Sequence, residues 1–387
     1  MLVALLISIG ALGTDLMLPA LDVMGTELGA ATANDVHFVV TAFFLGMAVG
    51  QLIVGPLSDS FGRKPVIYAG YGVFVLGCLI SATTETWAVL LVGRVLQGLG
   101  AAAPRIVTVA LVRDEYEGRA MARVMSIVMA AFILVPIIAP ALGQGLIYLG
   151  GWRLCFAGLA GLAIMVSVYF ALRQPETLAP EDRRAFRVRV IWRGILEIVQ
   201  TRVAFWNTIA TGLMYGMFVG YLGSAQQIFE VTFGVGDLFV AYFALASASL
   251  GLASLLNAKL VMRLGMERLT MAALVALTIL SFGFWALLPG HQGVPPLWMF
   301  VVWQGLAFFA VGIVFGNLNA LALEPLGHMA GLGAAFVGSI ATFISLPLAA
   351  EIGRRFDGTI IPLVAGFAVL GLAASAVSFW ANQNPRR

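Results

Sequence analysis

Gly55-Pro56-Leu57-Ser58-Asp59-Ser60-Phe61-Gly62-Arg63-Lys64-Pro65 gathers an acid, two glycines and two bases into one short stretch between two apolar runs. Neither run, 37–58 or 65–83, contains an Asp, Glu, Lys or Arg. A bilayer core of about 30 Å needs about 20 apolar residues per helix, so each run is long enough to cross. Backbone polar groups must be satisfied within the segment in lipid, so the crossing elements are helices. The stretch between them then reads as a membrane-surface loop. Gly55 would let two helices approach, Gly62 would permit a tight turn, and Asp59 would cap the next helix or meet a cation.

Working outward with Gly, Pro and charge clusters as breaks, we place twelve spans, near 2–20, 37–58, 65–83, 86–112, 121–149, 152–172, 203–224, 238–262, 268–289, 296–323, 329–350 and 359–380. Composition agrees. Of 387 residues 61% are apolar and 11% charged, whereas a soluble domain has about a quarter charged. The stretch Met1 to Pro19 reads as a span and not as a cleaved signal peptide. Cys78 and Cys155 lie inside apolar runs and read as small buried hydrophobes. His37, His291 and His328 show no metal-ligand spacing. A net charge of +3 with no basic soluble face gives no nucleic-acid surface.

Twelve spans put both termini on one side. With that side in the cytoplasm, its loops and the C-terminus hold 17 of the 22 basic residues, from Arg63 and Lys64 through the arginines of 173–202 to Arg386 and Arg387. Arg153, Arg354 and Arg355 fall outside, and Arg94 and Arg105 lie within span four. The positive-inside rule then sets both termini in the cytoplasm. The polar segment 173–202, with Pro175, Pro180 and its arginines, divides the chain into six-helix bundles at 1–172 and 203–387 and suits a cytoplasmic linker lying on headgroups. Arg263-Leu264-Gly265-Met266-Glu267-Arg268 stands in the second half where the first has Ser60-Phe61-Gly62-Arg63-Lys64-Pro65, as expected of parallel repeats.

The loop at 55–65 resembles the signature loop of the major facilitator superfamily. Further stretches resemble its Bcr/CflA drug-resistance branch: Thr14-Asp15-Leu16-Met17-Leu18-Pro19, Arg94-Val95-Leu96-Gln97-Gly98-Leu99-Gly100 with Val112-Arg113-Asp114, and Ala322-Leu323-Glu324-Pro325-Leu326-Gly327-His328-Met329-Ala330-Gly331. Span five adds Pro136-Ile137-Ile138-Ala139-Pro140-Ala141-Leu142-Gly143, similar to the antiporter motif of drug exporters, with Gln144 where a second glycine is common. The resemblance implies an all-α membrane protein of two six-helix bundles in a bacterial inner membrane. It also implies a cytoplasmic gate at Gly55, Asp59, Gly62, Arg63 and Lys64, for which Arg113 is the expected partner of Asp59.

Asp15 is a carboxylate inside a span, which is costly and usually faces a cavity or a partner. Burial disfavours its charged form and a nearby arginine favours it, the balance a proton carrier needs. Pro19 leaves the carbonyl of residue 15 without its helical donor. Asp15 lies about 5 residues from the outer end of span one and Arg94 about 8 into span four, about 8 and 12 Å deep. Asp15 and Arg94 are the expected proton-coupling pair. Arg94 would bias the carboxylate without losing its own proton.

Gln97, a turn beyond Arg94, offers hydrogen bonds to a ligand. Tyr215, Tyr221, Phe229 and Trp303 are candidate cavity walls. Arg105 follows Arg94 by 11 residues, about 20° round the helix. Its leading reading is a side chain snorkelling to the cytoplasmic headgroups, the sharper one a second cavity cation. Glu230 and Glu324 read as wetted helix ends.

The expectation is a proton-driven exporter of small amphipathic compounds, probing its substrate in a cavity between halves and working as a monomer in the lipid bilayer. The proton gradient drives it, with no cofactor and no metal. An uptake symporter could use the same proton site. A membrane-embedded enzyme would need a nucleophile, a paired-carboxylate or a metal constellation, and the sequence has none in view.

Overall fold

The first apolar run does not stay one helix. In a computed structural model of the chain, which describes residues 2–116, 118–183 and 188–383, α1 (Leu2–Asp15) ends where the sequence approaches Pro19. A 3-10 turn at Leu18–Ala20 carries that proline in its first turn, where a missing N–H costs nothing. A second helix, α2 (Leu21–Leu28), continues beyond the expected end at 20 and stops at Gly29, whose φ of 74° is a left-handed cap.

The remaining helices are α3 (His37–Phe61), α4 (Arg63–Thr83), α5 (Trp87–Glu115), α6 (Gly118–Gly150), α7 (Trp152–Arg173), α8 (Val188–Gln200), α9 (Arg202–Gln227), α10 (Phe239–Leu264), α11 (Met266–Leu287), α12 (Leu297–Leu323), α13 (Ala330–Arg354) and α14 (Ile361–Asn382). Among the described residues, 10 helical segments are long and apolar enough to cross a membrane. α6 and α9 are the long helices outside that set. α9 turns Asn207, Thr208, Thr211, Gln226 and Gln227 into the protein, which lowers its apolar content without exposing polar groups.

Several helices run a few residues past the expected spans, as α3 does to Phe61 and α13 to Arg354. Within 173–202 lies α8, a helix the sequence reading did not name. It packs on α9 and α13 and leaves Trp192 and Val199 exposed, as an amphipathic helix in the headgroup layer would. Arg184, Arg187, Arg386 and Arg387, counted above for orientation, lie outside the described residues.

The closest packing joins α3 with α5, α4 with α5 and α7, and α1 with α6; in the second half it joins α9 with α13 and α14, α10 with α12, and α11 with α14 and α12. Between these groups, α3 meets α13 and α6 meets α10. The two loops read as counterparts adopt one geometry: Gly62 has φ 101° and ψ 163°, Gly265 φ 80° and ψ 155°.

Candidate functional site

α1, α3, α5 and α6 from one group and α9, α10 and α12 from the other surround a central cavity of about 120 Å³. Its wall is mostly apolar and rich in aromatics: Phe44, Tyr215, Phe218, Phe243, Phe308 and Phe315 line it. Asp15, the last residue of α1, faces it with Thr14 beside it. Asp15 is 5% exposed, and among the described residues it forms no ion pair. The break after α1 therefore presents a carboxylate to the cavity with its hydrogen-bonding capacity unspent.

Arg94 and Gln97 are not in that wall. Arg94 is fully buried behind α1, donating to the backbone carbonyls of Gly13 at 2.8 Å and Val39 at 3.0 Å and to Gln97 Oε1 at 2.5 Å. Its guanidinium lies 4.6 Å from the centre of the Phe43 ring. Gln97 passes the bond on to Ser81 Oγ. Gln97 is thus a link in a buried chain and not a cavity donor, because its amide is consumed by neighbours in the same helix group. Arg94 ties α1, α3 and α5 together while lending Asp15 its field through space.

Of the four aromatics expected in the wall, Tyr215 alone is there. Tyr221 accepts from Gln304 Nε2 at 2.5 Å and stacks on Phe243 behind the cavity surface. Phe229 stacks on Tyr242, and Trp303 on Phe284 and Phe300, in the core of the second group. Aromatics make up 11% of the chain, so no pattern in the sequence separates Phe44, Phe218, Phe243, Phe308 and Phe315 from the others.

The antiporter-like stretch holds the break in place. Pro136 lines the cavity and Pro140 is buried in α6. A Cβ on Gly143 would sit 1.8 Å from the Leu16 carbonyl oxygen, so only glycine lets α6 lie against the backbone that follows Asp15.

At the end of the molecule carrying residues 59–64 is a second cavity of about 310 Å³, lined by Gly55, Asp59, Arg63, Arg105 and Arg113 among others. Asp59 pairs there with Arg63 at 2.6 Å, across the Gly62 break between α3 and α4, and not with Arg113. Arg63 also donates from Nε to Asp114 at 2.9 Å, and Asp114 accepts from Thr177. Arg113 is exposed beside them. The four-residue spacing across the Gly62 turn makes Arg63 the nearer cation.

Gly55 faces Ala335 with ordinary room for a Cβ, so it is no close-approach site. Gly62 is required by its φ, and a Cβ there would meet Glu176 Oε2 at 2.7 Å. Glu176, from the linker, caps α4 by accepting from the backbone N–H of Arg63 at 2.9 Å and of Lys64 at 3.0 Å. Partial burial raises its carboxyl, but N–H bonds from Leu178, Arg63, Lys64 and Thr177 outweigh that and hold it below the usual glutamate value. Lys64 Nζ donates to the Gln174 carbonyl.

At the opposite end the groups are sealed together. Asn34 Nδ2 donates to the carbonyls of Arg354 at 3.0 Å and Phe356 at 2.8 Å, and Gln227 Nε2 to that of Ala33 at 2.8 Å. Gln226 Nε2 donates to Pro19 O and to Glu230 Oε2, both at 3.0 Å. Glu230 lies beyond α9 in a short π-helical turn. Loss of hydration pushes its carboxyl up to about 7; the Gln226 bond lowers it, and the charges of Asp22 and Asp237 raise it further. It is more than a wetted helix end. Glu324, by contrast, is exposed at the C-cap of α12.

Arg105 departs from the snorkelling expectation. Its Nη2 donates to the Tyr215 hydroxyl at 3.1 Å and its Nη1 contacts Met47 Sδ at 3.0 Å. Arg105, Tyr215 and Phe315 line both cavities and form the partition between them. The side chain points between the helix groups, where Tyr215 of α9 across the cavity accepts its hydrogen bond.

Residues 3–350 match the Major Facilitator Superfamily. The chain is 29% identical over 358 residues to a bicyclomycin resistance protein homolog of Haemophilus influenzae, covering 91% of this chain and 88% of that one. It is 30% identical over 364 residues to a chloramphenicol resistance protein of Pseudomonas aeruginosa, covering 87% and 81%. With multidrug resistance protein D of Escherichia coli the identity is 28%, over 88% and 84%. Among solved structures, the partially occluded inward-open xylose transporter of E. coli superposes with a TM-score of 0.78 at 13% identity, covering 98% of this chain and 95% of that one. A D-xylose–proton symporter gives 0.80, also at 13% identity, over 98% and 96%. These two speak for the fold alone. The chain belongs to the major facilitator superfamily, among transporters of the Bcr/CflA drug-resistance type, and is not an enzyme.

Proposed function

We propose that this protein exports small amphipathic compounds across a bacterial inner membrane in exchange for protons, by alternating access. The observation that carries this reading is the Asp15 carboxylate, unpaired among the described residues, at the edge of an aromatic cavity between two helix groups. Relatives named for resistance to bicyclomycin, chloramphenicol and multiple drugs support the direction. In this reading twelve helices span the membrane, as bundles 1–172 and 203–387 joined by the linker 173–202. Both termini and the 59–64 end face the cytoplasm. The protein acts as a monomer with no cofactor, and the proton gradient supplies the work. Cycling requires the Asn34, Gln226 and Gln227 contacts to part while the cavity at the 59–64 end closes.

Counterflow in proteoliposomes with an imposed pH gradient, against a panel of antibiotics and metabolites, tests this. Uphill movement of a compound against the direction of proton flow is expected. Asp15→Asn should abolish gradient-driven accumulation while leaving equilibrium binding measurable. Full accumulation by that variant under a pH jump would remove Asp15 from the coupling step, and co-movement of proton and compound would make the protein a symporter.

A further inference from the structure

Arg105 is a cation without a charge to meet. Its two contacts are with a tyrosine hydroxyl and a thioether, not with a carboxylate, and among the described residues it forms no ion pair. A guanidinium carries five N–H donors in a planar fork, so these contacts leave most of its capacity facing the cavities. A charged side chain at this depth is costly unless a cavity or a partner compensates it. The apolar wall of the central cavity supplies no such partner, because Asp15 is the other charged group lining it and stands at the far end.

The distance follows from helix register. Gly10 of α1 faces Ala101 of α5, and α1 and α5 run antiparallel, since Gly13 meets Arg94. Asp15 lies five residues from that contact in one direction and Arg105 four in the other. At 1.5 Å per residue the two are roughly 14 Å apart along the helices. Between them stand Phe44, Phe218, Phe243 and Phe308, whose rings suit an apolar or aromatic body. The site is thus a greasy slot with a carboxylate near one end and a planar cation at the other.

We propose that Arg105 is an anion subsite, and that amphipathic organic acids and zwitterions are substrates whose carboxylate docks on its guanidinium in exchange for the Tyr215 hydroxyl. The fork of Arg matches a carboxylate with two parallel hydrogen bonds. The idea rests on the central cavity being the substrate cavity of the proposed exporter, and deepens that reading by naming a substrate class. Since Arg105 and Tyr215 also line the cavity at the 59–64 end, with Asp59, Arg63 and Arg113, a carboxylate arriving from there would meet Arg105 before it reaches Asp15.

The test uses the full chain in lipid nanodiscs without a pH gradient, and compares equilibrium binding of 2-naphthoate with that of its neutral isostere 2-naphthamide. The parent should prefer the carboxylate. Arg105→Ala should weaken 2-naphthoate roughly ten- to hundredfold, the scale of one charged hydrogen-bonded contact, with little change for the amide, whose retained binding also reports an intact fold. Arg105→Lys should fall between, keeping charge and losing the fork. Tyr215→Phe should bind 2-naphthoate at least as well as the parent, because the competing hydroxyl is gone and the ring remains. Equal binding of both probes by the parent, equal loss of both in Arg105→Ala, or loss of 2-naphthoate alone in Tyr215→Phe would overturn the proposal. No gradient enters the assay. A protein that fails the pH-gradient test yet prefers 2-naphthoate keeps the subsite and loses the export reading. One that exports through Asp15 without that preference does the reverse.

Discussion

Gly143→Ala places one methyl group where the backbone of α6 lies against the break after α1. The added Cβ would start 1.8 Å from the Leu16 carbonyl oxygen, and real Cβ atoms essentially never come within 3.0 Å of a neighbour. At least 1.2 Å of separation must therefore open between two main chains, neither of which can swing aside as a flexible side chain would. Overpacking of this kind costs about 1–3 kcal/mol. The residue before Leu16 is Asp15, so the displacement falls on the segment that presents the carboxylate to the cavity. Gly145→Ala, two residues on in the same helix, is the control. A Cβ there meets nothing within 4 Å, and alanine favours the helix by up to about 1 kcal/mol. Thermal unfolding of both variants in detergent, with pH-driven uptake into liposomes, should show Gly143→Ala less stable and poorly coupled and Gly145→Ala at least as stable as the parent. Indistinguishable melting and transport in the two would refute the claim that α6 holds the α1 break by direct backbone contact.

Arg63→Ala should slow counterflow and lower stability by about 1.5–3 kcal/mol, the scale of charged hydrogen bonds, because it strands Asp59 and Asp114 together; Arg113→Ala should change stability little, and equal effects would return Arg113 to the gate. Glu176→Gln keeps an acceptor over the α4 N-terminus and loses its charge, at a cost of about 0.5–1 kcal/mol. The cap's contribution, from a carboxyl held below its ordinary 4.5, should be complete above that pH and lost as pH falls through the lower folded value; melting curves that stay parallel for parent and variant from pH 7 to pH 3 would exclude it. Glu230, with its carboxyl raised from 4.5 to about 7, should favour the sealed outer end below pH 4.5 and lose that contribution as pH rises through about 7. Labelling from the outside of a cysteine placed in the central cavity, taken relative to one on an exposed outer loop so that the pH dependence of the thiolate cancels, should then rise with pH in the parent and stay flat in Glu230→Gln, and an unchanged slope in the variant would sink the assignment.

The helical architecture was legible because it is written in runs of about 20 apolar residues, a signal tertiary contacts do not overrule. The motif loop was legible for a related reason: Gly62 and Gly265 are backbone requirements, and both take the same left-handed turn. Charge partners were not. Asp59 was matched to Arg113 because both were expected at the cytoplasmic ends of their spans, but which arginine reaches it depends on how α3 and α4 turn about Gly62, and that geometry favours Arg63. Arg94 and Gln97 were expected in the cavity because they are polar and deep. Burial in a membrane protein has two destinations, the cavity or the contacts between helices, and hydropathy does not tell them apart. The same ambiguity put Phe229 and Trp303 in the wall and left out Phe218 and Phe308, all of them apolar and on helices of the second half. The linker helix α8 was obscured by its arginines, which mark the segment as polar while its apolar face shows only at helical period.

The seal at Asn34, Gln226 and Gln227 is built from uncharged amides reaching main-chain carbonyls across the two groups. Each such bond is worth about 0.5–1.5 kcal/mol net and is exchanged for water on opening. Salt weakens attractions between exposed charges over about 8–10 Å at ordinary ionic strength, but a neutral amide and a carbonyl give it little to screen. In the proposed orientation, this end faces a medium whose salinity a bacterium does not set. A door latched by amides closes equally well in dilute water and in brine, and leaves acidity, sensed at Glu230, as the external variable that can shift it.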